Sequence, residues 1–534
     1  MFKNLSKMMK YLKLVNYGPK DGMSTGSKNT SIEYIPTNIN DVLVKLRNEF
    51  ASCEDIVIRR IQIGQENKIK AILIYMDGLV NKEVLNSHVL RPLLIDARIA
   101  TLDKPFNKNN VIEVIERNFL DSCEILEIKD FKQTLNNILS GDTLIYIDGQ
   151  NIALATCTRG FATRPVGETN TETTIRGSRE GFTESFRVNT SLLRRRIRNP
   201  RLKIENMTIG QQTGTKVGIA YLDGIVNKKL VEEVRRRLSS IQIDSVLESG
   251  DLEQLIDDAP FSIFSTIGNT EKPDKTAAKI LEGRVAIITD GTPFVLTVPN
   301  LFIEGFQVSE DYYTSPYFAS FVRLLRFLAF LVSLYGPALY VALLSFHHSV
   351  VPFELLMTIA KAREGLPFSS FNEALIMGVA FELLREAGVR MPRPIGQAVS
   401  IVGALVLGEA SIRAGITGAP MVIVTALTAI CSFIVPSYSG MMPLIRFSMV
   451  AAANTLGLTG IAMLSTIGLI HMCSLRSFGV PYMSPFAPIS LTDLKDTFIR
   501  APLWLMFTRP RSLTGWNTDS NRIRMSPKLP MEDQ

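Results

Sequence analysis

The sequence has few cysteines and lacks the motifs of common enzyme classes. Five cysteines are scattered along 534 residues without a CxxC pair, so we expect neither disulfides nor a structural zinc site. Neither copy of the repeat described below contains a Walker A lysine motif or a GxGxxG fingerprint, and no histidine or nucleophile accompanies its acidic turns. We therefore expect a protein that is not an enzyme and that uses no cofactor or metal ion.

Long apolar runs are missing from the first 310 residues, which mix charged and apolar groups as a soluble protein does. Residues 1–30 form a basic tail without the apolar core of a secretory signal, so we expect the N-terminal part to stay in the cytoplasm. Residues 327–475 are mostly apolar, and the tail 476–534 is polar again. The mean hydropathy of +0.16 therefore averages a soluble part and a membrane part. The net charge of +7 suits a protein that lies against an anionic membrane surface.

Two stretches of the soluble part repeat each other. The first is YMDGLVNKEV at 75–84, and the second is YLDGIVNKKL at 221–230, 146 positions later. Each follows a short β-rich apolar run and precedes a helical pattern. We expect a buried strand, a turn at Asp-Gly and a helix, which Asn227 caps in the second copy.

A second repeat supports the first. Apolar runs lie on both sides of Asp148-Gly149 and again on both sides of Asp290-Gly291, which is the pattern of a β-hairpin. The sequence therefore predicts two copies of one α/β subdomain, at 31–156 and 206–310. Turn formation explains the Asp-Gly pairs better than catalysis does.

The segment between the copies, 157–205, is basic. Residues 176–203 hold nine Lys or Arg against two Glu. We expect a helix whose arginines either pair with acidic faces of the subdomains or of a neighbouring subunit, or contact phospholipid headgroups. Nucleic acid is disfavoured because no aromatic stacking platform accompanies the charges. The candidate contact residues are Arg194, Arg195, Arg196 and Arg198.

The apolar part begins with a clear span. Residues 327–346 carry no charge over twenty positions, after a juxtamembrane segment, 311–326. Further spans are expected around 420–435 and within 447–475. The tail after 475 holds eight Lys or Arg against five acidic residues and should lie on the same side as the N-terminus, so the number of crossings is even.

Two weaker apolar segments lie between these spans, and both carry ionisable residues. They should together add one crossing, the other being re-entrant or interfacial, which gives four spans, with six as the alternative. Each ionisable group at a helix centre costs about 2.5–3.5 kcal/mol. We therefore expect the groups to form an interhelical ion-pair network or to border a water-filled ion pathway, and the two readings are compatible. They are Glu373, Glu382, Arg385, Glu386, Arg390, Glu409 and Arg413.

Small residues recur every four positions in the second weak segment, at Gly396, Ser400, Ala404 and Gly408. This spacing lets helix backbones approach closely. Asn454, in the last span, is a candidate interhelical hydrogen-bonding residue. Together with the ionisable cluster, the pattern indicates a bundle or a ring of subunits.

Several stretches resemble the GerA family, the A subunits of nutrient germinant receptors of endospore-forming bacteria. They are IRGSREGFTESFRVNTSLLRRRIRNPRLK, YLDGIVN, EDYYTSPYFASFVRLLRF, FNEALIMGVAFELLREAGVRMPRPIGQAVSIVGALVLGEASIRAG and SFGVPYMSPFAPIS. The resemblance runs from about residue 35 to 511. It departs from the family's frequent pattern at Ser178, where proline is common, and at Glu409, where glutamine is common.

The resemblance implies a protein of the inner spore membrane with its N-terminal domain toward the spore core. It further implies a permease-like B subunit and a lipoprotein C subunit as partners, and self-association into a ligand-gated ion channel that starts germination. Two alternatives remain open. One is a non-conducting scaffold that couples a nutrient-binding partner to another channel, and the other is a germination-amplifying paralogue of the same family.

Overall fold

Two five-stranded sheets lie within the first 300 residues of the computed structural model. The structure describes residues 33–63, 69–99, 112, 114–115, 125–160, 172, 176–390, 408–490, 493–503, 506 and 509–514. The chain divides into two compact units. The first unit comprises Met1–Asn48 and Ile56–Gly160, and the second comprises Glu49–Asp55 and Phe161–Gln534.

The first unit is an antiparallel sheet with helices on it. The helices are α1 (Ile39–Glu49) and α2 (Phe131–Ser140), with short helical elements at Lys82–Val84, Leu85–Leu90, Pro92–Asp96 and Ala97–Ile99. The strands are β1 (Ile56–Ile63), β2 (Ile69–Met76), β3 (Ile125–Ile128), β4 (Thr143–Ile147) and β5 (Ala153–Thr156), in the spatial order β1-β2-β4-β5-β3. The core packs Ile145 and Leu154 of the sheet against Leu85 and Val89.

The second unit begins with a sheet of the same topology. Its strands are β6 (Leu202–Ile209), β7 (Thr215–Leu222), β8 (Gly268–Thr270), β9 (Val285–Thr289) and β10 (Val295–Val298), in the order β6-β7-β9-β10-β8. Its helices are α3 (Phe186–Arg196), α4 (Lys228–Ser239), α5 (Ser249–Ile256) and α6 (Pro273–Leu281). The identical strand order is the duplication that the sequence repeat predicts.

Helix α4 forms as its sequence predicts. The side chain of Asn227 accepts a hydrogen bond from the backbone N–H of Lys229 at 3.1 Å, which satisfies one free donor of the first turn. Its buried face is Leu230, Val231, Val234 and Leu238, at helical spacing. The Asp-Gly turns before the helical segments hold Gly78 and Gly224 at φ of 90° and 81°, a region that glycine enters without steric strain.

The hairpin Asp-Gly pairs have an architectural function in both copies. The Asp148 carboxylate accepts from the backbone N–H of Ile39 at 3.3 Å, and the Asp290 carboxylate accepts from the backbone N–H of Phe186 at 2.9 Å. Each aspartate therefore binds the first residue of the helix that opens its own subdomain. This contact explains why the residue type recurs without any catalytic partner.

Helix α3 lies in the segment that the sequence marks as a basic linker. Leu192 and Leu193 are buried against Leu202, Ala220 and Ile288 of the second sheet. The helix precedes β6 as α1 precedes β1, so it corresponds to the first helix of a subdomain rather than to a connection between subdomains.

A helical part follows the second sheet. Two 3₁₀ turns, Phe302–Phe306 and Ser309–Tyr312, lead into it. The helices are α7 (Pro316–Ser345), α8 (Phe353–Ala362), α9 (Ser370–Arg390), α10 (Ala419–Ile434), α11 (Met442–Leu456) and α12 (Leu458–Ser474), with 3₁₀ turns at His348–Val350 and Pro436–Tyr438. Among the described residues, α7 is the one helix long and apolar enough to cross a bilayer, while α10 and α12 are apolar but shorter.

The apolar stretch 447–475 is divided between two helices and is not one continuous helix. The helix is interrupted at Gly457, whose φ is 61°. The two helices on either side of it, α11 and α12, pack against each other. A Cβ at this position would lie 2.7 Å from the His347 ring. Glycine therefore supplies both the left-handed backbone and the space for the histidine.

The C-terminal segment returns to the second sheet. Arg476–Ser477 pairs with Val480–Pro481, and a last helical turn, Arg511–Thr514, ends the described chain. The Ser477 hydroxyl donates to the Thr266 carbonyl at 2.6 Å. Tyr482 lies in an aromatic core with Phe302, 6.2 Å between ring centres. The segment therefore ties the helical part to the second subdomain.

Candidate functional site

A proline inside α7 leaves one main-chain carbonyl oxygen without its helical hydrogen-bond donor, and the candidate site surrounds this oxygen. Pro337 has no N–H, so the carbonyl of Ser333, four residues earlier, loses the hydrogen bond that an α-helix normally forms. The Nε of Arg446, on α11, donates to this carbonyl oxygen at 3.0 Å, and its Nη2 donates to the Ser333 hydroxyl at 3.1 Å. The guanidinium thus satisfies a main-chain group that the proline leaves open.

Glu382 of α9 balances the charge of Arg446. Its Oε1 lies 3.3 Å from Nη1 of Arg446, whose side chain is only 4% exposed. The other carboxylate oxygen of Glu382 lies 2.7 Å from Arg385, which in turn donates to the carbonyl of Ser439 at 3.3 Å. We call Ser333, Glu382, Arg385 and Arg446 the central polar cluster. It joins α7, α9 and α11.

Only half of this cluster belongs to the set predicted from the sequence. The i, i+3 pairing of Glu382 with Arg385 is present as the spacing predicts. Arg446 is absent from the predicted set, although it is the only Lys, Arg, Asp or Glu between residues 414 and 475. That isolation is the signal that could have found it, because a lone charge in such a stretch requires a partner.

A second buried carboxylate lies near the opposite end of α9. Glu373 is fully buried; one of its oxygens lies 2.9 Å from Arg363, and the other accepts from the backbone N–H of Gly418 at 3.0 Å. Gly418 immediately precedes α10, so the carboxylate lies at the positive end of that helix. A Cβ on Gly418 would lie 3.2 Å from the Arg363 side chain, which indicates how closely the segments approach.

The remaining predicted ionisable residues face outward as two pairs. Glu386 lies 2.6 Å from Arg390, and Glu409 lies 2.5 Å from Arg413, each pair one helical turn apart. All four side chains are more than half exposed. Asn454 is also exposed. The predicted polar set is therefore divided: one part is buried between helices, and the other lies on the outer surface of the chain.

One residue of the predicted packing face can be placed. Gly408 is buried, and a Cβ there would lie 3.4 Å from Val422 of α10. Gly336 of α7 allows a comparable approach, since a Cβ there would lie 3.0 Å from the Thr428 hydroxyl. Gly396, Ser400 and Ala404 lie outside the described residues.

The arginines of α3 form contacts within the chain. Arg194 is buried and lies 2.7 Å from Asp55; burial alone would lower the pKa of its guanidinium, but the Asp55 carboxylate outweighs burial and raises that pKa above its ordinary value. Arg195 and Arg196 both contact Glu180, at 2.9 and 2.8 Å. Arg198 is exposed. Contact with lipid headgroups stays a prediction, for which Arg195, Arg196 and Arg198 keep accessible side-chain surface.

Two arginines at the start of α7 form a junction with the C-terminal segment. Arg323 is 1% exposed and lies 2.8 Å from Asp311 and 2.7 Å from Asp496. Arg326 also contacts Asp311, at 2.8 Å, and donates to the Phe306 carbonyl at 3.1 Å. These charges hold the first turns of α7 to the second subdomain and to the C-terminal segment.

A buried ion triad completes that junction. The Glu304 carboxylate accepts from Arg284 at 2.5 Å and lies 2.9 Å from Lys279. Burial raises the pKa of Glu304, but the positive charges of Arg284 and Lys279 outweigh it, so the pKa lies below its ordinary value of 4.5. Burial has the dominant effect on Lys279 and lowers the pKa of its ammonium below 10.5.

The chemistry of these sites is that of charge pairing. Carboxylates and guanidinium groups meet across helices, and the hydroxyl of the central polar cluster, that of Ser333, accepts from the guanidinium of Arg446, which remains protonated and therefore does not act as a general base. The part of the chain that the structure describes brings together no three His, Cys, Asp or Glu side chains able to hold a metal ion.

Comparisons with known proteins agree over most of the chain. A family model described as Bacillus/Clostridium GerA spore germination protein matches residues 44–512. The chain is 43% identical to spore germination protein KA of Bacillus subtilis (strain 168), over 88% of this chain and 86% of that protein. It is 39% identical to spore germination protein B1 of the same organism, over 89% and 97% respectively.

Two further similarities concern a membrane protein and a solved structure. The chain is 40% identical to the uncharacterized membrane protein YfkQ of Bacillus subtilis (strain 168), over 92% of this chain and 95% of that protein. It is 35% identical to the crystal structure of the N-terminal domain of the A subunit of the Bacillus megaterium spore germinant receptor GerK3, with a TM-score of 0.41. That match covers 51% of this chain and 98% of the other.

Proposed function

Because the chain belongs to the GerA family of spore germination proteins, we propose that it acts in spore germination as the A subunit of a nutrient-responsive germinant receptor. We place its helical part in the inner spore membrane as a multi-span domain, with the N-terminal α/β part toward the spore core. We further propose that its action is non-enzymatic, which is consistent with the ion pairs that Glu373, Glu382 and Arg446 form.

The outer surface of the helices supports a membrane location. Ile423, Leu427 and Ile430 of α10 are all more than half exposed, and so are Met463 and Ile470 of α12. Apolar surface of this extent in water would be unfavourable by about 25 cal/mol per Å². A bilayer, or further subunits within it, would cover these side chains. Helices α10 and α12, which are shorter than α7, would cross as part of the bundle.

The observation that carries the channel proposal is the presence of two exposed ion pairs in the helical part. The side chains of Glu386–Arg390 and Glu409–Arg413 are exposed beside apolar residues such as Ile412, which is itself 40% exposed. Lipid contact would be unfavourable by about 2.5–3.5 kcal/mol for each group at the membrane centre. We propose that copies of the chain assemble so that these residues border a hydrated ion pathway, opened in response to nutrient.

The junction at the start of α7 would transmit the opening signal. Asp311 binds both Arg323 and Arg326, and Asp496 of the C-terminal segment binds Arg323 as well. A movement of the second subdomain would thus reach α7 through buried charge pairs. The permease-like B subunit and the lipoprotein C subunit are the proposed partners that supply nutrient binding.

A non-conducting scaffold is the second candidate, and the central polar cluster favours it. Glu382 and Arg446 are satisfied by partners in their own chain, as in a purely structural network. A scaffold of this kind would couple a nutrient-binding partner to another channel. A germination-amplifying paralogue with the same fold would share its structure.

Reconstitution in a planar bilayer distinguishes the two candidates. The chain is incorporated together with its B and C partners, nutrient is added, and single-channel current is recorded for the natural chain, Glu386→Gln and Glu409→Gln. The channel proposal expects nutrient-dependent current whose ion selectivity changes in both variants. The matched control is Glu232→Gln, an exposed glutamate of α4, which should leave the selectivity unchanged. Persistent silence with partners and nutrient present would support the scaffold.

A further inference from the structure

A short loop of the second subdomain exposes apolar side chains. It comprises residues 259–264, between α5 and β8. Phe261 is fully exposed and Ile263 is 46% exposed, whereas Phe264, the next residue, is buried. An exposed phenylalanine is unremarkable by itself, so its surroundings decide its role.

The loop is fixed to the end of α12. The Ser262 hydroxyl lies 2.9 Å from Nε2 of His471, which is in the last turn of that helix. Phe264 anchors the loop from the inner side, with its ring centre 6.1 Å from that of His471 and 6.4 Å from that of Tyr482. The two exposed apolar residues are therefore held beside an apolar helix.

The outward surface of α12 continues the apolar character. Within this helix only Gly460 and Ile461 are buried. Met463, Ile467 and Ile470 are all more than half exposed. Loop 259–264 and α12 thus form one apolar surface, which runs along the helix and ends at the subdomain.

The charges around the loop suit the surface of an anionic bilayer. Two acidic residues adjoin the loop: Asp257 accepts from the backbone N–H of Ala259 at 3.2 Å, and Asp258 is bound by Arg237 at 2.6 Å and accepts a hydrogen bond from the backbone N–H of Phe478. The negative charge of Asp258 is therefore compensated inside the protein, and the carboxylate of Asp257 is occupied by hydrogen bonds within the chain. Arg476, two residues beyond α12, is exposed. A cation just past the end of an apolar helix is placed to meet phosphate groups.

We propose that loop 259–264 enters the cytoplasmic leaflet of a phospholipid bilayer beside the end of α12, with Phe261 and Ile263 among the acyl chains. Aromatic side chains favour this interface, and Arg476 lies at the level of the headgroups. The inference rests on the proposed function, because it requires α12 to lie in a membrane. It adds a peripheral membrane anchor on the α/β part, which holds the second subdomain against the bilayer.

Depth-dependent fluorescence quenching tests the proposal. The two native tryptophans are first replaced by phenylalanine, and Phe261→Trp is then introduced into the full-length chain, which is reconstituted in vesicles of anionic phospholipid. Lipids brominated at successive acyl carbons quench a tryptophan that lies near them. Two matched variants accompany it: Ile467→Trp on α12, and Leu247→Trp at another exposed apolar position of the same subdomain.

We expect the Phe261→Trp variant to be quenched most by lipids brominated near the headgroup. The Ile467→Trp variant should be quenched by lipids brominated along the acyl chain, and the Leu247→Trp variant should be unaffected. If lipid bromine quenches the Ile467→Trp variant but neither the Phe261→Trp nor the Leu247→Trp variant, the loop proposal is overturned. The proposed membrane location of α12 then stands.

Two other outcomes have different consequences. Absence of quenching in the Ile467→Trp variant would overturn the proposed membrane location of α12, on which both the proposed function and the loop proposal rest. Shielding of the tryptophan in the Phe261→Trp variant from both lipid bromine and aqueous iodide would overturn the proposal in favour of a protein contact.

Discussion

Arg446 donates a hydrogen bond from Nε to the main-chain carbonyl oxygen of Ser333, at 3.0 Å. Ser333 lies four residues before Pro337, so this oxygen is the one that the proline leaves without its helical partner. Glu382, 3.3 Å from the same guanidinium, supplies the balancing charge. A buried arginine, a helical proline and a carboxylate thereby stabilise one another across three helices.

The first prediction concerns the loss of this arginine. Arg446→Leu should destabilise the chain by about 1–3 kcal/mol, because it leaves the buried Ser333 carbonyl without its donor and removes one of the two arginines that pair with Glu382. The measurement is denaturant unfolding of the purified full-length protein in detergent. Arg390→Leu is the control: its pair with Glu386 is exposed, so about 0–1 kcal/mol is expected. Equal effects of the two substitutions would contradict the role given to the central polar cluster.

The second prediction tests the link to the proline. Pro337→Ala supplies a backbone N–H to the Ser333 carbonyl, so the double variant Arg446→Leu/Pro337→Ala should be about 1 kcal/mol more stable than the sum of the single effects implies. Pro316→Ala is the matched control, because a proline in the first turn of α7 interrupts no helical hydrogen bond. If the effects of Arg446→Leu and Pro337→Ala on the free energy of unfolding simply add, Arg446 does not replace the hydrogen bond that the Ser333 carbonyl lacks.

The third prediction concerns the repeated Asp-Gly turns. Asp290→Ala and Asp148→Ala should each destabilise their own unit by about 0.5–2 kcal/mol, because each removes an acceptor at the start of a helix. Limited proteolysis of the full chain, with cleavage sites mapped to each unit, reports the effect. Asp223→Ala serves as the comparison, since the Asp223 carboxylate accepts from the backbone N–H of the neighbouring Gly224, at 3.0 Å, within a turn. Cleavage that increases equally in all three variants would argue against helix capping.

The fourth prediction is a dependence of stability on pH. The folded-state pKa of Glu304 lies below its ordinary value of 4.5, so its stabilising contribution is present above that value and is lost as the pH falls through the folded pKa. The difference in unfolding free energy between the natural chain and Glu304→Gln should therefore be constant well above pH 4.5 and narrow as the pH falls below 4.5. Glu232→Gln, at an exposed position, provides the reference. A difference that stays constant as the pH falls below 4.5 would contradict the assignment.

The sequence predicted those parts of the fold that depend on local pattern. Strand β7, the Asn227 cap and the apolar face of α4 follow from residues close together in the chain. The pair of Glu382 and Arg385 is equally local, since it depends on one helical turn.

The features that the sequence did not show depend on distant residues, on backbone conformation or on packing that composition does not indicate. Arg446 meets a carbonyl 113 positions away, and that carbonyl is available only because of Pro337. Gly457 breaks an apolar stretch that reads as continuous, because glycine permits a left-handed backbone without changing hydrophobicity. The segment of α3 has the composition of a linker because its arginines dominate it, although Leu192 and Leu193 pack the helix onto the sheet.

The environment of the outward ion pairs in the membrane is the most direct test of the channel proposal. Nitroxide labels are placed at 386 and 409, and at the apolar positions 423 and 470, in the full chain reconstituted with its partners. Power-saturation electron paramagnetic resonance then compares collisions with oxygen, which concentrates in lipid, and with a water-soluble nickel chelate. The channel proposal predicts nickel access at 386 and 409 and oxygen access at 423 and 470. Oxygen-dominated access at all four positions would contradict it.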